Sequence, residues 1–298
     1  MATGRPVIFG EVLFDCFSEE ATLGGAPFNV AWHLQGFGLK PLFISRVGDD
    51  DLGKRVRTAM SRWEMDTSGL QTDYERPTGR VQVAVTDGQP RYDILPDQAY
   101  DYIDHPAVAL VEGHGGLAQL YHGTLALRNG VSEATLRGLR DRGKLPVFID
   151  VNLRPPWWDL PKVNEAMLGA SCIKLNGDEL CLLEAPEQEV ELETRALLLR
   201  KRTGAEVVLV TRGVAGAFVL SPEGRYGIEA HPVDRVVDTV GAGDGFSAVA
   251  ILGMIKGWRW PDILERASAF AGLICGYRGA IREDRKLYEA ASGQWKNG

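Results

Sequence analysis

Short apolar runs alternate along the chain with longer stretches in which apolar residues recur every three or four positions. The apolar runs are rich in Val, Ile, Leu and Phe, and they predict strands at residues 7–9, 42–45, 147–150, 172–175 and 207–211. The longer stretches predict helices that each bury one face, at residues 28–37, 52–63, 132–142 and 190–202. Strands and helices that alternate in this way predict an α/β domain whose mostly parallel sheet is covered by helices on both sides.

Two segments, at residues 15–23 and 80–103, interrupt this alternation. In the second segment, Val81, Val83 and Val85 alternate with polar residues before the pair Asp87-Gly88, which is typical of a hairpin turn. One face of such a hairpin is apolar and the other faces water. We therefore expect a small β-lid, built from these two segments, on a single domain that spans residues 1–298.

Composition narrows the classes of function. The 298 residues are 45% hydrophobic and 24% charged, as in ordinary globular proteins. A net charge of -7, a pI near 5.4 and the lack of a long basic run argue against a nucleic-acid partner. No stretch reaches the ~18 apolar residues of a membrane span and residues 1–6 do not resemble a secretion signal, so we expect a cytoplasmic protein without a membrane partner. Neither the four cysteines nor the five histidines have the spacing of metal ligands.

A glycine-rich turn, Gly241-Ala242-Gly243, follows a predicted strand end at residues 235–237 and precedes a predicted helix that begins at Asp244. Small residues at a helix start leave backbone N–H groups open to an anion such as phosphate. A carboxylate beside that anion is placed to accept a proton from an attacking hydroxyl. The segment therefore predicts a phosphoryl-transfer centre, and the alternative is that Asp244 only caps the helix.

Two other kinds of phosphate-binding loop do not fit the sequence. The dinucleotide fingerprint Gly-x-Gly-x-x-Gly needs a glycine where Phe246 stands. It also needs a strand after the helix, whereas residues 262–277 predict a second helix. No Gly-Lys-Ser or Gly-Lys-Thr occurs, which excludes a P-loop kinase.

Two motifs more than 200 residues apart resemble one family. Residues 236–246, Val-Val-Asp-Thr-Val-Gly-Ala-Gly-Asp-Gly-Phe, resemble the C-terminal signature of the ribokinase-like (PfkB) carbohydrate kinases. Residues 24–31, Gly-Gly-Ala-Pro-Phe-Asn-Val-Ala, together with Gly38, resemble the N-terminal sugar-binding motif of that family in the form typical of fructokinase-like members. Further stretches agree with the family at residues 46–53, 150–158 and 176–179, so the resemblance extends over nearly the whole chain.

The resemblance implies a three-layer α/β/α ribokinase-like domain with a mostly parallel central sheet and a small β-lid. The implied reaction is transfer of the γ-phosphoryl group of ATP to a primary hydroxyl of a sugar. By the same resemblance Asp244 is the general base, and the backbone amides of Gly241, Ala242 and Gly243 form the anion hole. We expect Asp244 to have a low pKa, because the start of a helix stabilises negative charge.

The resemblance also assigns residues to the sugar. Asp15, Gly24, Gly25 and Asn29 match family positions that bind it, and the alternative is a turn at Asp15 and a helix cap at Asn29. Arg154 is expected to meet a substrate or phosphate anion, with a carboxylate at the rim as the alternative partner.

At the nucleotide side, Asn176 and Glu179 match an Asn-x-x-Glu element that acts near Mg²⁺ and the phosphates, largely through water. The same spacing is also an ordinary capping box. Thr211, Gly213 and Gly216 match the nucleotide-side loop of the family, and the alternative is a plain turn. The expected cofactors are therefore ATP and Mg²⁺.

Some members of the family also bind a monovalent cation such as K⁺. The matching positions here are Asp238 and Val240, with Ala280 downstream. These residues are therefore candidates for a cation site beside the glycine turn.

The lid departs from the family pattern. Only eight residues separate Asp15 from Gly24, fewer than between these motifs in ribokinase or typical fructokinases, so we expect the first lid hairpin to be short or missing. Tyr92, in the second segment, is expected to cover the sugar ring or to pack against its cross-strand neighbour. In relatives the lid often makes the dimer contact, so a homodimer is a further expectation from the resemblance.

The stretches at residues 24–29 and 150–154 place fructose first among the expected acceptors. Ribose, another keto-sugar, a sugar acid and a nucleoside are the alternatives within the family. A different class also stays open, a sugar- or nucleotide-binding protein that keeps the fold without turnover. The intact glycine turn and Asp244 argue against that class.

Overall fold

The computed structural model describes residues 4–16, 20–86, 89–185, 189–233 and 235–295, with the backbone alone at residues 83–86 and 89–92. The strands in these residues are β1 Arg5–Phe9, β2 Leu13–Cys16, β3 Ala21–Gly24, β4 Leu42–Gly48, β5 Leu70–Asp73, β6 Gly79–Thr86, β7 Gln89–Ile94, β8 Leu117–His122, β9 Val147–Asp150, β10 Cys172–Asn176, β11 Val207–Thr211, β12 Ala217–Ser221 and β13 Gly224–Ile228. The helices are α1 Ala26–Gly36, α2 Asp51–Arg62, α3 Pro106–Gly113, α4 Gly130–Gly143, α5 Leu160–Met167, α6 Gly177–Leu183, α7 Leu192–Thr203, α8 Ala242–Lys256, α9 Trp260–Cys275 and α10 Arg285–Gln294.

Nine strands form the central sheet, in the order β13-β12-β11-β10-β9-β8-β1-β4-β5. The strands from β11 to β5 pair in parallel, and β12 and β13 add an antiparallel edge. Successive strand residues point to opposite faces, and both faces are buried. Ile8 belongs to a core shared with α1, α2, α8, α9 and α10, whereas Val7 and Phe9 belong to a core shared with α3 to α7. The predicted three-layer α/β/α arrangement with a mostly parallel sheet is confirmed.

Four further strands form a separate sheet, in the order β3-β2-β6-β7. Strand β2 pairs antiparallel with β3 and parallel with β6, and β6 pairs antiparallel with β7. We call it the lid sheet. The first hairpin, β2 with β3, is therefore short but present. The expected turn at Asp87-Gly88 and the side chains of Val83 and Val85 lie outside the described residues.

The expected lid segment, residues 80–103, extends at its C-terminal end beyond the strands of the lid sheet. Strand pairing ends at Ile94, and residues 99–102 form a 3-10 turn in which Tyr100 is fully buried. Ser132 of α4 donates a hydrogen bond from Oγ to the Tyr100 carbonyl at 2.9 Å. This bond ties the 3-10 turn to the main domain instead of the lid sheet.

The loop before α8 also differs from the prediction. Residues 235–237 are not a strand end, because the N–H groups of Val237 and Asp238 both donate to the carbonyl of Cys275, at 2.9 and 3.2 Å. One carbonyl at the end of α9 thus replaces a neighbouring strand as the partner. Helix α8 is buried almost all round, as expected of a helix that is apolar on every face. Its N-terminus is therefore held in a fixed position.

Candidate active site

A cleft of about 680 Å³ opens at the carboxyl ends of the parallel strands β1, β9, β10 and β11. The lid sheet lines one side of this cleft through Leu13, Val81 and Ile94. In open α/β sheets, ligands bind at this edge, where the loops that follow the strands converge. Both glycine motifs found in the sequence contribute residues to the cleft.

Asp244 and Asn29 meet in the cleft although 215 positions separate them in sequence. Gly241 caps α8 with a left-handed φ of 80°, and Asp244 lies in the first turn of that helix. Asn29, near the start of α1, donates a hydrogen bond from Nδ2 to Oδ2 of Asp244 at 2.7 Å. Two helix N-termini therefore begin at the same part of the cleft, where both favour negative charge.

Loss of water around the Asp244 carboxyl group, which lies half-buried in the cleft, raises its pKa from 3.8 to about 6. The hydrogen bond from Asn29 and the cations Lys174 and Arg154 lower this pKa, and the Asp150 carboxylate raises it, but burial is the largest effect. The expected low pKa is therefore wrong, because the loss of water outweighs the helix start. A pKa of about 6 leaves the carboxylate mostly ionised at pH 7 and able to accept a proton.

The glycine turn is packed tightly against the segment that follows α9. A Cβ atom added to Gly241 would overlap the side chain of Ala280 and lie 2.5 Å from its Cα atom. The N–H of Gly245 donates to the Gly241 carbonyl at 2.8 Å, which closes the first turn of α8. Only glycine therefore fits at position 241. The contact with Ala280 also fixes the position of the backbone amides of the turn.

Gly241→Ala is expected to lower the free energy of unfolding by more than Gly257→Ala. Both glycines have a left-handed φ, of 80° and 68°, for which a Cβ atom costs about 1 to 2 kcal/mol. Gly257 has nothing within 4 Å of an added Cβ, so it isolates the backbone strain, whereas Gly241 adds the overlap with Ala280. Denaturant unfolding of both variants measures the difference. Equal losses would show that the Ala280 contact relaxes at no cost.

A buried ion pair lies directly behind the glycine turn. Lys174 Nζ contacts both carboxylate oxygens of Asp150, at 2.8 and 2.9 Å, and Ser247 Oγ donates to Oδ2 of Asp150 at 2.6 Å. Burial acts to lower the pKa of Lys174, but the Asp150 carboxylate outweighs it and raises that pKa. A Cβ atom on Gly243 would lie 3.6 Å from Nζ, so the ammonium group is next to the turn. An anion bound at the turn would therefore lie close to a positive charge.

The residues predicted to bind sugar line one end of the cleft. A Cβ atom on Gly24 would lie 3.9 Å from both Asn29 Oδ1 and Asp15 Oδ2, so two polar side chains flank this glycine. Gly25 has a φ of 109°, and a Cβ atom there would lie 2.8 Å from a neighbouring carbonyl oxygen. Burial raises the pKa of Asp15, and the Arg154 guanidinium opposes that rise. We call this part of the cleft the Asp15 end.

Tyr92 belongs to β7, but its side chain lies outside the described part of the chain. Its expected contact with the sugar ring therefore stays a prediction.

Asn176 and Glu179 form a reciprocal capping box at the start of α6. Asn176 Oδ1 accepts from the Glu179 N–H at 2.8 Å, and Glu179 Oε2 accepts from the Asn176 N–H at 2.9 Å. The other oxygen of Glu179 accepts from the N–H of Leu153 at 3.0 Å. Burial raises the pKa of Glu179, while these backbone hydrogen bonds lower it. Both residues line the cleft, so the capping role and a place in the site coexist.

Thr211 lines the cleft at the end of β11, but Gly213 and Gly216 do not. They lie in the 3-10 turn between β11 and β12 and at its end. A Cβ atom on Gly216 would overlap the carbonyl of Ile228, which explains the glycine by packing between strands. The structure thus brings one of these three predicted residues into the cleft.

Asp238 joins the two segments that flank α8 and α9. Its Oδ1 accepts from the N–H of Val240 and its Oδ2 from the N–H of Gly279, both at 3.0 Å. Asp238, Val240 and Ala280 all line the cleft beside the glycine turn. Both carboxylate oxygens of Asp238 are therefore already engaged with backbone donors.

Four charged residues of the cleft belong to no functional assignment made from the sequence: Glu11, Asp150, Lys174 and Arg278. Lys174 interrupts the apolar strand Cys-Ile-Lys-Leu, and Glu11 follows the apolar strand β1 after a single glycine. A charged residue inside or just after a buried strand is the signal for both, because such a charge needs a partner or a ligand.

Across the ranges described, no three His, Cys, Asp or Glu side chains are grouped so that they could hold a metal ion by themselves. None of the helices in the described residues is long and apolar enough to cross a membrane.

The model of the pfkB family of carbohydrate kinases matches residues 3–286 of the chain. The chain belongs to the pfkB family. The resemblance drawn from its glycine motifs is thus confirmed, and the protein is an ATP-dependent carbohydrate kinase.

Several known kinases are similar to this chain over most of its length. An uncharacterized sugar kinase of Pyrococcus horikoshii is 28% identical over 95% of this chain and 94% of its own length. Its crystal structure has a TM-score of 0.81 at 26% identity and covers 98% of this chain and 99% of that one. Aminoimidazole riboside kinase of Salmonella typhimurium is 28% identical over 85% of this chain and 80% of its own, and a probable fructokinase of Arabidopsis thaliana is 26% identical over 93% and 92%.

Proposed function

We propose that this pfkB-family kinase transfers the γ-phosphoryl group of ATP to a primary hydroxyl of fructose, with Asp244 as the general base. The observation that carries the proposal is the half-buried Asp244 carboxylate at the start of α8, which faces the cleft and is oriented by a 2.7 Å hydrogen bond from Asn29. The acceptor hydroxyl would lie between this carboxylate and the γ-phosphoryl group. Ionised Asp244 then accepts the hydroxyl proton as the new O–P bond forms.

The backbone amides of the glycine turn are placed to bind the transferring phosphoryl group. Gly241, Ala242 and Gly243 stand at the start of α8, where N–H groups lack partners within the helix. The N–H groups of Gly241 and Gly243 would donate to the transferring phosphoryl group, whose negative charge is spread over its three equatorial oxygens. The Ala242 N–H, which donates to the Thr239 carbonyl at 3.3 Å, would change partner to do the same. The Lys174 ammonium beside Gly243 adds positive charge to the same place. Phosphoryl transfer depends mainly on such positioning and charge neutralisation, and these groups would supply the protein's share of both.

The residues at the nucleotide side fit a hydrated Mg²⁺ ion better than a directly bound one. Glu179 already accepts two backbone hydrogen bonds, and Mg²⁺ usually keeps several of its water ligands. Glu179 and Asn176 would therefore hold the ion through water, and the ion would neutralise charge on the ATP phosphates. The K⁺ site at Asp238, Val240 and Ala280 stays a prediction.

Fructose ranks first among acceptors because the Gly-Gly-Ala-Pro motif takes the fructokinase-like form and a probable fructokinase is among the relatives. The 26% identity to that relative also leaves room for ribose, another keto-sugar, a sugar acid or a nucleoside. A panel of these acceptors with Mg-ATP, followed by detection of both ADP and the phosphorylated product, tests the ranking. An acceptor with a kcat/KM at least tenfold above that of fructose would replace fructose in the proposal.

The pH profile of turnover is expected to report Asp244. The base is active when ionised, and its pKa is about 6, so kcat/KM should be level above that pH and fall about tenfold per unit below it. Initial rates between pH 4.5 and 8, at saturating Mg-ATP, measure the profile. If kcat/KM stays nearly level down to pH 4.5, as it would for a base with the ordinary aspartate pKa of 3.8, burial does not control this base.

A further inference from the structure

Glu11 is a buried carboxyl group at the Asp15 end of the cleft that the proposed mechanism leaves without a role. It lies between β1 and the lid strand β2, lines the cleft and is 3% exposed. Its Oε2 atom is fully enclosed and has no hydrogen-bond partner among the residues described. Buried polar atoms rarely stay unpaired, since each costs free energy until a donor arrives. Because Glu11 lines the cleft, a rotation of its side chain would bring Oε2 to a ligand hydroxyl, which can supply the missing donor.

Negative charge is in excess around Glu11. The Arg154 guanidinium is close enough to lower the pKa of Glu11, Asp15 and Asp244, so one cation is shared by three carboxyl groups. Two other cations near Glu11 are already compensated by carboxylates, and Arg278, which also lines the cleft, is at an exposed position. Arg128 pairs with Asp101 at 2.7 Å and Lys174 pairs with Asp150 at 2.8 Å. A ligand that carries a carboxylate of its own would therefore meet uncompensated negative charge around Glu11.

The charge on Glu11 itself changes near neutral pH. Burial raises its pKa from 4.5 to about 7, its own amide, Arg154 and Arg128 lower it, and Asp244 raises it. The charged and titratable groups that face it are Arg154, Asp244, Arg128, Tyr100 and Tyr121. The two tyrosines stay neutral in this range, because burial raises the pKa of both phenols. Raising the pH through 7 thus adds one negative charge to this end of the cleft.

The geometry points to Glu11 as a specificity-determining residue that accepts a hydrogen bond from a hydroxyl of a neutral sugar and disfavours acceptors that carry a carboxylate. This inference rests on the proposed function, because it names the class of acceptor for the same cleft. A neutral polyol offers the donor that Oε2 lacks. A sugar acid adds a fourth carboxyl group to the three that share Arg154, and like charges at close range repel strongly where water is excluded.

D-fructose and 2-keto-D-gluconate form a matched pair for the test, because they differ only at C1, a hydroxymethyl group in one and a carboxylate in the other. The ratio of their kcat/KM values with Mg-ATP is measured from pH 6 to pH 8. The ratio removes the titration of Asp244, which both acceptors share. The sugar carboxylate is ionised throughout this range, so a change in the ratio reports a group on the protein.

The wild-type ratio is expected to favour fructose and to rise about tenfold between pH 6 and pH 8. In Glu11→Gln the ratio should change less than about twofold over the same range, because the amide does not titrate. Glu223→Gln, at an exposed position, should keep the wild-type rise. Glu11→Met also removes the titrating group and should flatten the ratio in the same way, so it serves if the Gln variant fails to fold, as judged by thermal unfolding.

A wild-type ratio that is flat with pH, a rise that persists in Glu11→Gln, or a preference for 2-keto-D-gluconate overturns the inference while the kinase proposal stands. If another sugar proves to be the acceptor, the matched pair is compared as competitive inhibitors, with the same expectations for their inhibition constants. If no acceptor of the panel is phosphorylated, the proposed function fails, and the inference fails with it.

Discussion

Asp244→Asn is expected to lower kcat for the phosphorylated sugar by about 10² to 10⁴-fold, with little change in the KM for ATP. The amide keeps the shape of the side chain and its contact with Asn29, which lies at 2.7 Å in the wild type, but it cannot take the proton of the hydroxyl. Initial rates with saturating Mg-ATP and acceptor give kcat directly. Asp262→Asn is the matched control, since Asp262 also lies in the first turn of a helix, α9, outside the cleft lining.

The same variant separates a catalytic role from a structural one. The folded pKa of Asp244, about 6, is above its ordinary 3.8, so the folded state binds the proton more tightly. Its contribution to stability is therefore present below the ordinary pKa, falls between these two values and is absent above pH 6. Asp244→Asn should accordingly be at least as stable as wild type at pH 8. An inactive variant that also unfolds more readily would favour a structural role, and a fully active one would overturn the assignment of the base.

Lys174→Met is expected to lower the free energy of unfolding by about 3 to 5 kcal/mol, because it leaves the buried Asp150 carboxylate without its cation. The long unbranched side chain of Met fills most of the space of the lysine stem. Ser247, which donates to Oδ2 of Asp150 at 2.6 Å, stays in place but carries no charge. Urea unfolding at pH 7, followed by tryptophan fluorescence, measures the loss.

The double variant Lys174→Met/Asp150→Asn is the control for this pair. It removes both charges, so most of the stability lost in the single variant should return, since desolvation of an isolated charge is what makes the single variant unstable. A single variant that loses less than about 1 kcal/mol would mean that water reaches Asp150 when the lysine is gone. Comparison of kcat in the double variant and wild type then shows what the ammonium group adds to phosphoryl transfer.

The hydrophobic pattern predicts the fold well because each strand and helix is set by its own burial. Strands β9 and β11 begin and end where the apolar runs do. The pattern fails where a long-range contact decides the conformation. Val236 and Val237 favour a strand, yet the loop is held by the Cys275 carbonyl and both side chains are exposed, at 60% and 50%. Nothing near these valines in sequence indicates that contact.

Some features of the candidate site can likewise be predicted from the sequence, and others depend on long-range contacts. The family resemblance carried by the two glycine motifs implies that Asn29 binds the sugar and that Asp244 accepts its proton, which places both residues at one site. The pKa of Asp244 follows from the loss of water around its carboxyl group, and its neighbours Lys174 and Arg154 come from other parts of the chain. Sequence reasoning about the helix start alone therefore gives the wrong sign for the pKa shift. Glu11 is missed because one carboxylate after a strand has no periodic partner in the sequence.

The short hairpin of β2 and β3 has a consequence for how acceptor range can change during evolution. One continuous segment carries Glu11, then the hairpin, then Gly24 and Asn29, so residues of the cleft anchor both ends of the hairpin. Lengthening a loop between fixed ends costs little free energy, since the cost grows only with the logarithm of its length. Insertions after Asp15 can therefore remodel the wall around the acceptor while Asp244 and the glycine turn stay as they are. Separate segments of the chain therefore determine the substrate range and the phosphoryl-transfer chemistry. A library of insertions in the hairpin is a direct way to select variants with new acceptors.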